Sequence, residues 1–133
     1  MEFSAAEVDF AVEDRVAQLF LAEADDEGHT VDIQSSLDAP DESDVRTGMD
    51  TYYISLDEEE AVYGGIRRCV MTRETITLTF SEQAAATFGT DQVEVRFSLP
   101  GEDISRLATH LRLLFTSGRS AEHPELDLSG DGE

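Results

Sequence analysis

Between Thr75 and Phe80 every second residue is apolar: Ile76, Leu78 and Phe80 alternate with Thr75, Thr77 and Thr79. A period of two is the signature of a strand with one buried face, because successive side chains point to opposite sides of a sheet. The pattern recurs along the chain. Val8, Phe10 and Val12 alternate with Asp9, Ala11 and Glu13, and Val31, Ile33 and Leu37 with Asp32, Gln34 and Ser36. Tyr52, Ile54 and Leu56 share a face, as do Val93, Val95, Phe97 and Leu99. A chain so patterned must build a sheet and cover one side of it.

Other segments fill in the plan. A further apolar stretch runs from Val16 to Ala22, and Val62 to Thr72 reads as a strand interrupted by Gly64-Gly65. A glycine pair inside a strand marks a bulge or a close backbone approach. Arg73-Glu74 reads as the tight turn of a hairpin. Ser81 is placed to cap a short helix over 82–88, with Gly89 as its stop. After Pro100-Gly101, Ile104, Leu107, Ala108, Leu111, Leu114 and Phe115 recur at helical spacing, with Glu102 and Asp103 at the favourable dipole end.

The expected architecture is α+β: a twisted, mainly antiparallel sheet of about six strands. The 102–115 amphipathic helix packs on one face, and the 81–88 helix links two strands at one edge. Residues 1–115 form one domain, and residues 116–133 form an acidic, flexible tail.

Parts for catalysis are missing from this pattern. His29, His110 and His123 fall in a loop, on a helix and in the tail, without metal-ligand spacing, and read as solvated. The single cysteine, Cys69, lies within a strand and reads as a small core or edge residue. Gly64-Gly65 runs into Ile66-Arg67-Arg68 and not a phosphate-loop ending. Asp127-Leu128-Ser129-Gly130-Asp131-Gly132 copies the opening of an EF-hand loop, but the sequence lacks the bidentate Glu at its twelfth position. No enzyme, metal or cofactor is expected. There is no apolar run long enough to span a membrane and no signal-peptide pattern, so the expected location is the cytoplasm.

Charge narrows the partner. The formal net charge is -21, and every basic residue is arginine. Residues 1–60 hold nineteen carboxylates against Arg15 and Arg46, whereas residues 61–120 hold six carboxylates and seven arginines. Such an excess disfavours contact with nucleic acid or anionic lipid. It fits a basic protein partner, imitation of a nucleic-acid backbone or adaptation to a high-salt host. The uneven distribution argues against salt adaptation and for a partner-facing surface.

Several segments together carry a resemblance. Asp50-Thr51-Tyr52-Tyr53-Ile54-Ser55-Leu56-Asp57 is a tyrosine-bearing strand running into an acidic turn. Tyr63-Gly64-Gly65-Ile66, the strand from Thr75 to Phe80, Ala84-Ala85-Ala86 and Phe88-Gly89 follow. Over roughly residues 45–115 this arrangement resembles the immunity protein 10 family, small bacterial proteins associated with polymorphic toxin systems. The resemblance implies a non-catalytic protein that binds and blocks a cognate toxin inside the producing cell. It brings no catalytic residues, so the interface is argued from this chain's own charges. Glu58, Glu59 and Glu60, with Tyr53 and Tyr63 as aromatic anchors, form the expected contact, supported by the acidic loop of Asp41, Glu42 and Asp44. The competing reading is a non-enzymatic adaptor whose acidity reflects host salt. A homodimer is compatible with both.

Overall fold

The structure is a computed structural model that describes residues 1–24, 28–37, 51–57, 61–116 and 123–128. Within them the chain is α+β, with two five-stranded sheets and two helices. One sheet is a meander of β2 (Glu7–Glu13), β3 (Val16–Ala22), β4 (Thr30–Ser36), β5 (Tyr53–Leu56) and β6 (Ala61–Tyr63), antiparallel throughout. The other joins β1 (Glu2–Ser4), β9 (Gln92–Arg96), β8 (Thr75–Phe80), β7 (Ile66–Met71) and β10 (Glu125–Asp127), in that spatial order. Its central three strands are antiparallel, while β1 and β10 add to its two edges in parallel.

Alternation explains which sides close. In β8 the residues Ile76, Leu78 and Phe80 are buried and the three threonines between them are half-buried on the other face. In the meander, Leu19, Ile33 and Ile54 stand side by side across three strands, as do Leu21, Val31 and Leu56. Each such side chain withdrawn from water contributes about 1.5–3 kcal/mol before entropy is set against it. Helix α2 (Gly101–Phe115) buries Ile104, Leu107, Ala108, Leu111, Leu114 and Phe115 and lies against β2, β3 and β4. The apolar faces of both sheets and this helix stripe form one continuous core.

The expected single sheet of about six strands is therefore corrected to two sheets of five. Period-two patterning says which face of a strand is buried but not which sheet it joins. The division falls at Gly64 and Gly65, whose φ angles of 71° and 86° no extended strand adopts. The presumed interrupted strand is in fact β6 of one sheet and β7 of the other. The glycine pair does serve a close approach. A Cβ on Gly65 would sit 2.8 Å from the Cβ of Ala84 in helix α1 (Glu82–Phe88), and the Gly65 carbonyl accepts from the Ser81 N–H at 2.8 Å. The bulge lies just beyond, between Ile66 and Arg68.

Buried Tyr52 spans the same crossing. Its hydroxyl accepts from the Ile66 N–H at 3.0 Å and donates to the Ile66 carbonyl at 3.3 Å. Its ring meets Phe115 edge-on at 5.2 Å.

Helix α1 is capped as expected, with Ser81 Oγ accepting from Ala84 N–H and Gly89 left-handed at its end. It joins β8 to β9, which are neighbours inside their sheet and not at an edge. In the C-terminal stretch, Leu126 pairs with Cys69 and Leu128 is buried.

Candidate partner-binding site

The outward residues of the meander form a broad sheet face directed away from the core. Cross-strand pairing sets them in rows. Asp9, Phe20, Asp32 and Ser55 make one row, and Ala11, Gln18, Gln34, Tyr53 and Tyr63 make the next. Tyr53 is half-buried and Tyr63 is 42% exposed, with ring centroids 5.8 Å apart. Both tyrosines are thus on the outside while Tyr52, one residue earlier, is in the core. This is the alternation expected once Ile54 and Leu56 define the buried side.

Acidity shapes the face. Asp32 accepts from the side-chain amides of Gln18 at 3.3 Å and Gln34 at 3.4 Å. The Tyr53 hydroxyl is pushed above the ordinary tyrosine range, first by partial burial and then by the Asp32 charge. At the free edge, Glu7 and Asp9 lie two residues apart on one side of β2. The Glu7 carboxyl is raised because it shares a hydrogen bond with Asp9, with slight desolvation and the Asp9 charge acting the same way. Two carboxylates held this close would each be relieved by an incoming cation.

Of the expected contact residues, the structure brings Tyr53 and Tyr63 together. Glu58, Glu59, Glu60, Asp41, Glu42 and Asp44 lie outside the described residues. Asp57, just before the acidic turn, faces inward to its own chain: Oδ1 accepts from Thr30 N–H at 3.1 Å and lies 3.1 Å from His29 Nδ1. Sequence reasoning left out Asp9, Phe20, Asp32 and the two glutamines. Their alternation was visible, but only the pairing register puts them beside the tyrosines.

The histidines differ from expectation. His110 is buried, not solvated. Its Nε2–H donates to the Gln18 carbonyl at 2.8 Å, its ring packs 5.4 Å from Phe10, and desolvation holds its pKa below the usual histidine value against the opposing effect of that hydrogen bond. Cys69 is buried and its thiol is pushed up to about 12 by desolvation. Among the described residues no group of three or more His, Cys, Asp or Glu side chains is placed to hold a metal. Nor is any described helix long and apolar enough to cross a membrane.

Comparison with curated proteins gives no match. The family profile described as immunity protein 10 matches residues 2–105. That span takes in β1 to β9, both sides of the Gly64-Gly65 crossing, α1 and the start of α2. Sharing a pattern that runs through both sheets and the crossing between them, this chain belongs to the immunity protein 10 family.

Proposed function

We propose that the protein binds and neutralises a cognate bacterial toxin inside the producing cell, without catalysis, by occluding the toxin with an acidic surface. The observation that carries this reading is the family match over residues 2–105. The charge adds the chemistry of the partner. Residues 1–60 concentrate the carboxylates, so the complementary toxin surface is basic, as in grooves that handle nucleic acid. An acidic inhibitor is drawn to such a groove and can associate up to roughly 10³-fold faster than a neutral one at low salt.

Steering fixes rate rather than identity, and aromatic anchors supply the rest. Tyr53 and Tyr63 are the outward-facing pair suited to that role. Glu58, Glu59 and Glu60 adjoin them in sequence, and Asp41, Glu42 and Asp44 extend the acidic surface.

The test is co-expression with the toxin domain encoded beside this chain's gene. Growth restored by the intact protein, together with a 1:1 complex of the purified pair, is the expected result. Toxicity undiminished at equal expression would overturn the proposal. Should the acidity instead reflect adaptation to salt, the isolated protein would lose its fold at low potassium chloride, which a melting series reads directly.

A further inference from the structure

The meander's outer face differs from the outer face of the other sheet in how its charges are balanced. The other sheet's strands carry Glu2, Glu94, Glu125 and Asp127 together with three arginines, Arg67, Arg68 and Arg96; Arg96 lies 3.8 Å from Glu94 and Arg68 lies 4.0 Å from Asp127. The meander's strands carry Glu7, Asp9, Glu13 and Asp32 and contain no basic residue at all. The second sheet offsets most of its strand charge with its own arginines, whereas the meander's strands offset none of theirs. A broad pleated surface with half-buried Phe20 and Tyr53 among carboxylates has the composition of an interface, apolar area joined to polar points.

The face is also indented. Beside the free edge, Ala11 is a small residue between larger ones, leaving a depression of about 220 Å³ bordered by Asp9, Gln18 and Phe20. Its chemistry suits one kind of side chain. A guanidinium or ammonium group lying there meets the Asp9 carboxylate and lies beside the Phe20 ring. Charge pairing and apolar contact with the stem of a long basic side chain both favour that arrangement.

The geometry points to the outer face of β2–β6 as the toxin-docking surface, with the Ala11 depression receiving a lysine or arginine of the toxin. This rests on the function proposed above and moves the centre of contact from the acidic turn at 58–60 onto the sheet. The occupant is a basic, rather flat protein surface. A second copy of this chain is disfavoured, since it would set four strand carboxylates against four.

The test measures binding of the neighbouring toxin domain to the intact protein and to two charge-adding variants of exposed strand positions. Ala11→Arg fills the depression and offsets part of the local negative charge, whereas Gln92→Arg adds the same charge to the outer face of the other sheet. Circular dichroism and urea midpoints verify that both remain folded. Ala11→Arg should weaken binding by at least about tenfold and flatten the salt dependence of association, with Gln92→Arg within about threefold of the intact protein. Tight binding by the intact protein that Ala11→Arg leaves within threefold overturns the docking face while leaving the function standing. Equal losses in both variants would show a general charge effect and also overturn the face. No binding by the intact protein overturns both proposals.

Discussion

Replacing Tyr52 by Phe removes one oxygen from the point where the chain passes between sheets, and its cost can be worked out from the pairing around Ile66. Ile66 opens β7 and is buried. On one side β7 pairs with β8, and on the other β10 begins only opposite Arg68. The Ile66 N–H and C=O are therefore served by the Tyr52 hydroxyl, which accepts from one at 3.0 Å and donates to the other at 3.3 Å. Two net hydrogen bonds at about 1 kcal/mol each give roughly 2 kcal/mol, rising towards about 3 if the N–H is left without any partner. The ring stays in place against Phe115, so no cavity adds to this figure. Urea unfolding of Tyr52→Phe should lower the midpoint by about 1 M with an unchanged slope. Tyr52→Ala, which loses the ring contact as well, should cost at least about 3 kcal/mol. A Tyr52→Phe midpoint within about 0.2 M of the parent would refute the reasoning, since water would then be satisfying Ile66.

Gly65→Ala should destabilise by about 3 kcal/mol, because its left-handed backbone and a Cβ 2.8 Å from that of Ala84 act together. Gly89→Ala shares a positive φ of 74° but meets open space, so it should cost only about 1 kcal/mol; equal thermal shifts would refute the close-approach argument. Neutral His110 is favoured in the fold and the unfolded chain takes up its proton first. That residue's contribution should therefore be lost as pH falls through about 6.5. His110→Gln should show less loss of stability between pH 7 and pH 5 than the parent, measured by urea midpoints. The Cys69 thiol should resist aromatic disulfide reagents at pH 8 in the folded protein and react within minutes in denaturant. Rapid labelling of the native chain would contradict its burial.

Much of the local structure could be read before any coordinates. Ser81 and Gly89 bracket α1 by capping chemistry, the 104–115 spacing marks α2, and Tyr52 and Tyr53 divide between core and surface as period-two alternation requires. What escaped was assembly. Gly64-Gly65 was recognisable as a constraint, but whether the chain bends within a sheet or leaves it depends on partners distant in sequence. The short β1 and β10 have too few residues to show a period, and each is defined by a strand far away, Phe3 by Val95 and Leu126 by Cys69. The candidate surface was missed in the same way. Asp9, Phe20 and Asp32 belong to three separate strands, and only register makes them neighbours. His110 looked solvent-facing because a helix stripe drawn from apolar residues alone omits a histidine that has a backbone carbonyl to bind.

The placement of β1 and β10 on opposite edges of one sheet has a consequence for assembly in time. The meander pairs strands that follow one another in sequence, and such near-sequence contacts form early. Its neighbour must wait for contacts between the first residues and those near 95, and then for the strand at 125–127 to arrive beside β7. During synthesis the acidic meander can therefore take shape before the second sheet is complete. Until β10 docks, β7 presents an unprotected strand edge, the place where premature association between chains would begin.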